Sequence, residues 1–229
     1  MKVRKILLEL ERRGTARNRA GMARYAIVSD KVFGVSGDTL RQMAKRVGRD
    51  HALAQSLWKT GWFDARMLAT LVDDPARVTP AQMDRWCRDF DNWAICDAAC
   101  FVLFDRTPYA WRKVALWSRR RDEFVTRAAF ALVASVALHD KTAPDAPFIR
   151  ALPVIERAAT DDRNFVRKGV SWALRSVGHR NVRLHARAVA LARRLARSPD
   201  RAARWVGKDA LRDLLRASVI ARVRRIRPR

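Results

Sequence analysis

Apolar residues recur along this chain at helical spacing, and no segment alternates apolar and polar positions long enough to suggest a strand. The pattern predicts two helices in residues 1–25, broken near Gly14, followed by a loop from Val28 to Gly37 that contains Gly34. Asp38–Val47 is amphipathic, with Leu40, Met43, Ala44 and Val47 on one side, and Asp50 is placed to cap the next helix, which ends at Gly61. Ala65–Val72 follows. Thr79-Pro80-Ala81-Gln82 combines an N-cap, a proline at the first helical position and a glutamine two residues further on, a clear helix start. Helices then alternate with short turns: Pro80–Asp89, Asn92–Phe104, Pro108–Trp117, Arg121–Leu138, Pro147–Thr160, Arg163–Val177, Val182–Ala196 and Pro199–Ala217. The charge run Arg222-Val223-Arg224-Arg225-Ile226-Arg227-Pro228-Arg229 is expected to be a mobile end. No linker divides the chain, so one repeat domain is expected over residues 1–217, with a basic C-terminal tail over 218–229.

Within the helical pattern one phrase returns: an aromatic residue, a small or apolar one, a variable one, a basic one, then an apolar run. It reads Phe63-Asp64-Ala65-Arg66, Trp93-Ala94-Ile95-Cys96, Phe124-Val125-Thr126-Arg127, Phe165-Val166-Arg167-Lys168 and Trp205-Val206-Gly207-Lys208, at spacings of 30, 31, 41 and 40 residues. Helical repeats of that length stack as pairs, because one pair cannot bury its apolar side alone. The expected fold is all-α, a HEAT-like helical repeat solenoid (an α-α superhelix) of about six helix pairs with a concave basic face. Four of the five copies place a cation at the fourth position; the second has Cys96 followed by Asp97.

Charge narrows the partners. The formal net charge of +25 is far beyond what solubility needs, and favours a polyanion, with nucleic acid first and an anionic membrane surface second. Arginine outnumbers lysine 39 to 9, which suits bidentate phosphate contact. Three cysteines, Cys87, Cys96 and Cys100, have the wrong parity for a disulfide framework, and no histidine lies at ligand spacing from them. Buried thiols are expected, with no metal and no cofactor. The first residues lack the apolar run of a signal peptide and no stretch is long enough to span a bilayer, so a cytoplasmic, nucleoid-associated monomer is expected.

Trp93 and Asp97 are four apart and stack on one helix face. Trp172 lies seven residues into a later copy, and Arg127 holds the basic position between them. Aromatic rings offer surface to a sugar or a quadrupole to a cationic base. A carboxylate stabilises positive charge developing on a sugar, as glycosidic bond cleavage requires, and an electropositive surrounding favours its ionised form. Cations hold backbone phosphates. The bland readings stand beside these. Trp58, Trp62, Trp86 and Trp117 are assigned structural roles, and Trp93 and Trp172 taken singly read as core sooner than as functional. Asp97 also reads as half of a salt bridge, and Arg127, Arg167 and Lys168 as solvated charges. The four histidines share no spacing and are assigned to surface or capping roles.

At these residues the sequence resembles the AlkD family of DNA alkylation-repair glycosylases. Asp89-Phe90-Asp91-Asn92-Trp93-Ala94-Ile95-Cys96-Asp97 is similar to that family's catalytic helix, Phe124-Val125-Thr126-Arg127-Ala128-Ala129 to its next helix, and Phe165–Arg175 to the helix carrying a second tryptophan. Met22-Ala23-Arg24-Tyr25, Phe33-Gly34-Val35-Ser36, Gly48–Ala54 and Ala203–Arg212 are similar too, so the resemblance spans roughly residues 20–217. Relatives often carry an acidic or aromatic residue beside the central tryptophan, where this chain has Asn92 and Ala94. The resemblance implies excision of cationic N7- and N3-alkylated purines from double-stranded DNA without obligatory base flipping. It implies that Trp93 and Trp172 flank the lesion's deoxyribose, that Asp97 supports the oxocarbenium and the attacking water, and that Arg127 holds the backbone. Arg66, Arg167, Lys168 and Lys208 are expected to border the DNA groove. Two other readings are a non-catalytic repeat protein binding distorted or branched DNA, and a scaffold for an acidic protein. The last would need apolar hot spots rather than a row of cations.

Overall fold

The computed structural model describes residues 3–226, which contain fourteen α-helices and one 3-10 turn. Two compact units divide the chain between Thr107 and Pro108. The first holds α1 (Val3–Arg13), α2 (Ala16–Arg24), α3 (Gly37–Val47), α4 (His51–Lys59), α5 (Phe63–Val72), α6 (Pro80–Arg88), α7 (Trp93–Val102) and the turn Phe104–Arg106. The second holds α8 (Ala110–Trp117), α9 (Glu123–His139), α10 (Asp145–Ala158), α11 (Asn164–Gly178), α12 (Val182–Ala196), α13 (Arg201–Leu214) and α14 (Ala217–Arg225). The all-helical expectation holds across the described residues.

Helix starts follow capping chemistry. The hydroxyls of Thr15, Ser36 and Thr79 and the carboxylates of Asp50 and Asp200 each accept from a backbone N–H in the first turn of α2, α3, α6, α4 and α13 respectively. Each satisfies one donor that the helix itself leaves orphaned. The recurring aromatic phrase falls on α5, α7, α9, α11 and α13, so the repeat read in the sequence is the alternation of helices in the structure.

In the first unit α5 is the hub, packed against α3, α4 and α7. Trp58 on α4 stacks on Trp86 of α6 with ring centroids 3.9 Å apart, and its Nε1 donates to Asp89 Oδ2 at 2.8 Å. Trp62 stacks on Phe33 at 4.0 Å. The loop before α3 is pinned by a carboxylate: buried Asp64 accepts from the amides of Phe33 and Val35, both at 2.7 Å, and from Gly34 at 3.4 Å. Gly34 supplies the positive φ of 81° that lets three successive amides converge.

In the second unit α9, α11 and α13 lie side by side, while α8, α10 and α12 form a second layer on them. α9 is buried from Val125 to Ala137. α13 approaches α12 so closely that a Cβ on Gly207 would lie 2.2 Å from the Ala196 amide nitrogen. The expected helix Pro199–Ala217 divides at Leu215 into α13 and α14. The basic end expected to be mobile is helical through Arg225, because Val219 and Val223, four apart, are buried and anchor it. Residues 227–229 of that run lie outside the described residues.

Candidate nucleic-acid interface

α7 is apolar apart from one acid, and its burial is divided sharply by face. Ile95, Cys96, Ala99 and Cys100 point inward, whereas Trp93, Ala94, Asp97 and Ala98 are half-buried. The four-residue spacing therefore puts Trp93 and Asp97 together on the accessible side of one helix. Asn92 caps that helix: its buried side-chain oxygen accepts from Ala94 N at 3.0 Å and Ile95 N at 3.1 Å. Asn92 thus sets where the helix, and with it Trp93, begins. Trp93 also holds the end of α2, its Nε1 donating to the Tyr25 carbonyl at 2.8 Å. The Tyr25 ring itself is exposed.

Burial pushes the Cys100 thiol well above the usual thiol range, and Cys96, Cys87 and the Asp97 charge push it the same way. Cys87, Cys96 and Cys100 form no disulfide, and all three are buried. Among the described residues no cluster of His, Cys, Asp or Glu is arranged to hold a metal ion.

The cations at the fourth position of the phrase do not share one environment. Arg66 is largely buried by side chain: its guanidinium lies 5.3 Å from the Trp58 ring, Nη1 donates to Asp89 O at 3.2 Å, and Asp91 is 3.8 Å away. Arg127 is only 7% exposed, and its Nη1 donates to the Phe165 carbonyl at 2.6 Å, tying α9 to the first turn of α11. Gly169 lies directly against the Arg127 stem. Lys168 and Lys208 are exposed. Arg167 lies over the Trp205 ring at 4.8 Å, a cation–π contact between α11 and α13.

Trp172 is half-buried on α11, and its helix face also carries Phe165, Lys168 and Arg175 at spacings of seven, four and three residues. The neighbouring helix supports this face: Ser171 Oγ donates to Asp209 Oδ2 at 2.6 Å, and Arg175 lies 3.9 Å from the same carboxylate. One turn on, His179 Nε2 is 2.7 Å from Asp213 Oδ2. Burial holds the imidazole below its usual value, Arg222 and Arg175 add to this, and Asp213 opposes it. Sequence analysis singles out neither Asp209 nor Asp213; their four-residue spacing on α13 is the signal that they serve one face.

These sites can be set beside known proteins. Residues 6–214 match the family of DNA alkylation repair enzymes. Among solved structures the chain is similar to one from "a new family of proteins related to the HEAT-like repeat DNA glycosylases with affinity for branched DNA structures". That match has a TM-score of 0.77 at 20% identity and covers 94% of this chain and 96% of that one. The fold is therefore a HEAT-like helical repeat. A second match, to an engineered protein at 14% identity and a TM-score of 0.37, covers 77% of this chain and 89% of that one and carries no argument. A comparison with curated proteins gives no match.

Proposed function

The chain belongs to the family of DNA alkylation repair enzymes, and from that premise we propose that it is a DNA glycosylase releasing N7- and N3-alkylated purines from duplex DNA. The observation that carries this reading is the accessible face of α7, where an aromatic ring and a lone carboxylate stand together on an otherwise apolar helix.

The chemistry asks little more of the protein. An N7- or N3-alkylpurine is cationic, so when its bond to C1′ breaks the electron pair leaves with the base and the base departs neutral. No general acid is needed. Positive charge passes to the deoxyribose, and the Asp97 carboxylate stabilises it there. Water then attacks C1′ on the face from which Asp97 can accept its proton, giving an abasic site and the free base. Trp93, on the same face as Asp97, supplies flat apolar surface to the sugar, and Trp172 offers the same kind of surface on the second unit. Lys168 and Lys208 bind phosphates from their exposed positions. Arg127 acts through the Phe165 carbonyl, fixing the first turn of α11, whereas Arg66 and Arg167 lie over the Trp58 and Trp205 rings. Because the leaving group is already activated, the lesion need not be extruded from the stack.

The deciding experiment is single-turnover excision from a duplex containing N7-methylguanine, wild type against Asp97→Asn. The substitution keeps shape and removes charge. The rate should fall by roughly a hundredfold to a thousandfold, about 3–4 kcal/mol of transition-state stabilisation, while duplex affinity holds. An unchanged rate removes Asp97 from the mechanism. A wild type without excision favours the second reading, a protein that binds distorted or branched DNA without excising a base. The solved relative's affinity for branched DNA supports that reading, as does the burial of Arg127.

A further inference from the structure

Five arginines and no acid lie from Arg183 to Arg197, four of them on α12 and the fifth, Arg197, as its C-cap. Its apolar face, Leu184, Ala188, Val189, Leu191, Ala192 and Leu195, is buried. Since α12 packs on α11 and α13 through that face, its exposed side points away from the layer that bears Trp172, Lys168 and Lys208. Arg183, Arg187, Arg193 and Arg197 are all exposed, and none meets a carboxylate among the described residues; Arg194 alone is paired, with Glu156 at 3.0 Å. At 3.6 residues per turn the five guanidinium stems fall within about 120° of the helix circumference. The residues between them on that arc are Ala186 and Ala190, so nothing bulky keeps a partner from the helix surface. α14 packs beside α12 and adds exposed Arg222 and Arg225. Cations are crowded at this end of the unit: burial, then the charges of Arg180 and Arg222, push the Lys141 ammonium below its usual value.

A stripe of this kind attracts an anionic partner, and its dimensions fit a duplex. From Arg183 to Arg197 the helix rises about 21 Å. That length of B-form DNA carries roughly six phosphates on each strand. One duplex lying on α11 and α13 cannot also reach the far side of α12. We propose that the exposed arginine face of α12, continued by α14, is a second duplex-binding face that holds another DNA segment while the first lies on the α11–α13 side. This deepens the reading of the protein as a DNA-binding repair enzyme and rests on it for the first duplex.

The test uses the full chain and a variant with Arg183→Gln, Arg187→Gln, Arg193→Gln and Arg197→Gln, all at exposed positions. A biotinylated duplex on beads is loaded with protein, and capture of a second, fluorescent duplex of unrelated sequence is measured across a salt series. Wild type should capture the second duplex. The variant should bind the first duplex within about twofold of wild type yet lose second-duplex capture at least tenfold, with its salt slope reduced by about 3–4. Undiminished capture by the variant, or no capture by wild type, overturns the proposal. So does an equal loss for both duplexes, which would mean a single continuous face. Loss of binding to phosphatidylserine vesicles with duplex capture intact would give the face to a membrane and also overturn it. Excision of N7-methylguanine is followed in the same samples. Capture without excision fails the glycosylase reading alone, and excision without capture fails the second face alone.

Discussion

Asp64 and Asp97 show how differently one residue type is used. Asp97 stands on the accessible side of α7, whereas Asp64 is fully buried and is consumed by backbone amides. Replacing Asp64 with alanine strands the Phe33 and Val35 amides away from water, at about 1–3 kcal/mol each. Denaturant unfolding of Asp64→Ala should therefore show a loss of about 3 kcal/mol or more, and Asp64→Asn, which keeps one acceptor, a smaller one. A full-sized loss in the asparagine variant would show that charge rather than acceptor count holds the loop. The sequence offered no warning of this role, because Asp64 occupies the second position of the aromatic phrase and its partners lie about thirty residues earlier. Trp93 and Asp97 were legible because their relation is local, one turn apart on a single helix. Arg127 was legible as a cation but not as a buried brace, since its hydrogen-bond partner is 38 residues away.

Helices set their own limits on substitution. Gly207 meets the backbone of α12, and an added methyl has only main chain to push against. Gly207→Ala should cost about 1–3 kcal/mol despite alanine's better helix propensity. Gly21 on α2 is the control, since an added Cβ there meets nothing within 4 Å, and Gly21→Ala should stabilise by about 0.5–1 kcal/mol. Chemical denaturation of the two variants compares them directly, and equal effects would show that the close approach is not rigid. The joint between α11 and α13 carries a pH dependence. The folded pKa of His179 lies below its ordinary value of 6.5, chiefly through burial. The unfolded chain therefore binds the proton more readily, and stability present above about pH 6.5 should decline as pH falls below it. His179→Gln should flatten that decline in a pH series of melting midpoints. Element boundaries were readable wherever a cap announced them, at Asp50 and Thr79 above all. The break at Leu215 was not, because no glycine or proline marks it and the arginines of α14 mask its two buried valines.

Over the whole molecule charge decides behaviour. A formal +25 makes duplex affinity depend on released counterions, so log K should fall linearly with log salt and vary little with sequence. Lys168→Gln and Lys208→Gln, at exposed sites, should each reduce the slope by about 0.9 if both lysines touch phosphate. An unchanged slope would place the DNA elsewhere. The repeat phrase revealed the fold because stacking imposes a period on the sequence. It did not reveal which cations are open to solvent, since exposure depends on how far each helix is covered by its neighbours. The stacked indoles of Trp58 and Trp86 have a further use. Parallel rings 3.9 Å apart couple as paired oscillators, and that coupling vanishes once they separate. Both belong to residues 1–107, so their exciton circular-dichroism signal is an optical gauge of the first unit alone. Followed during heating beside total helicity, it would tell whether the two units melt in one cooperative step or in sequence.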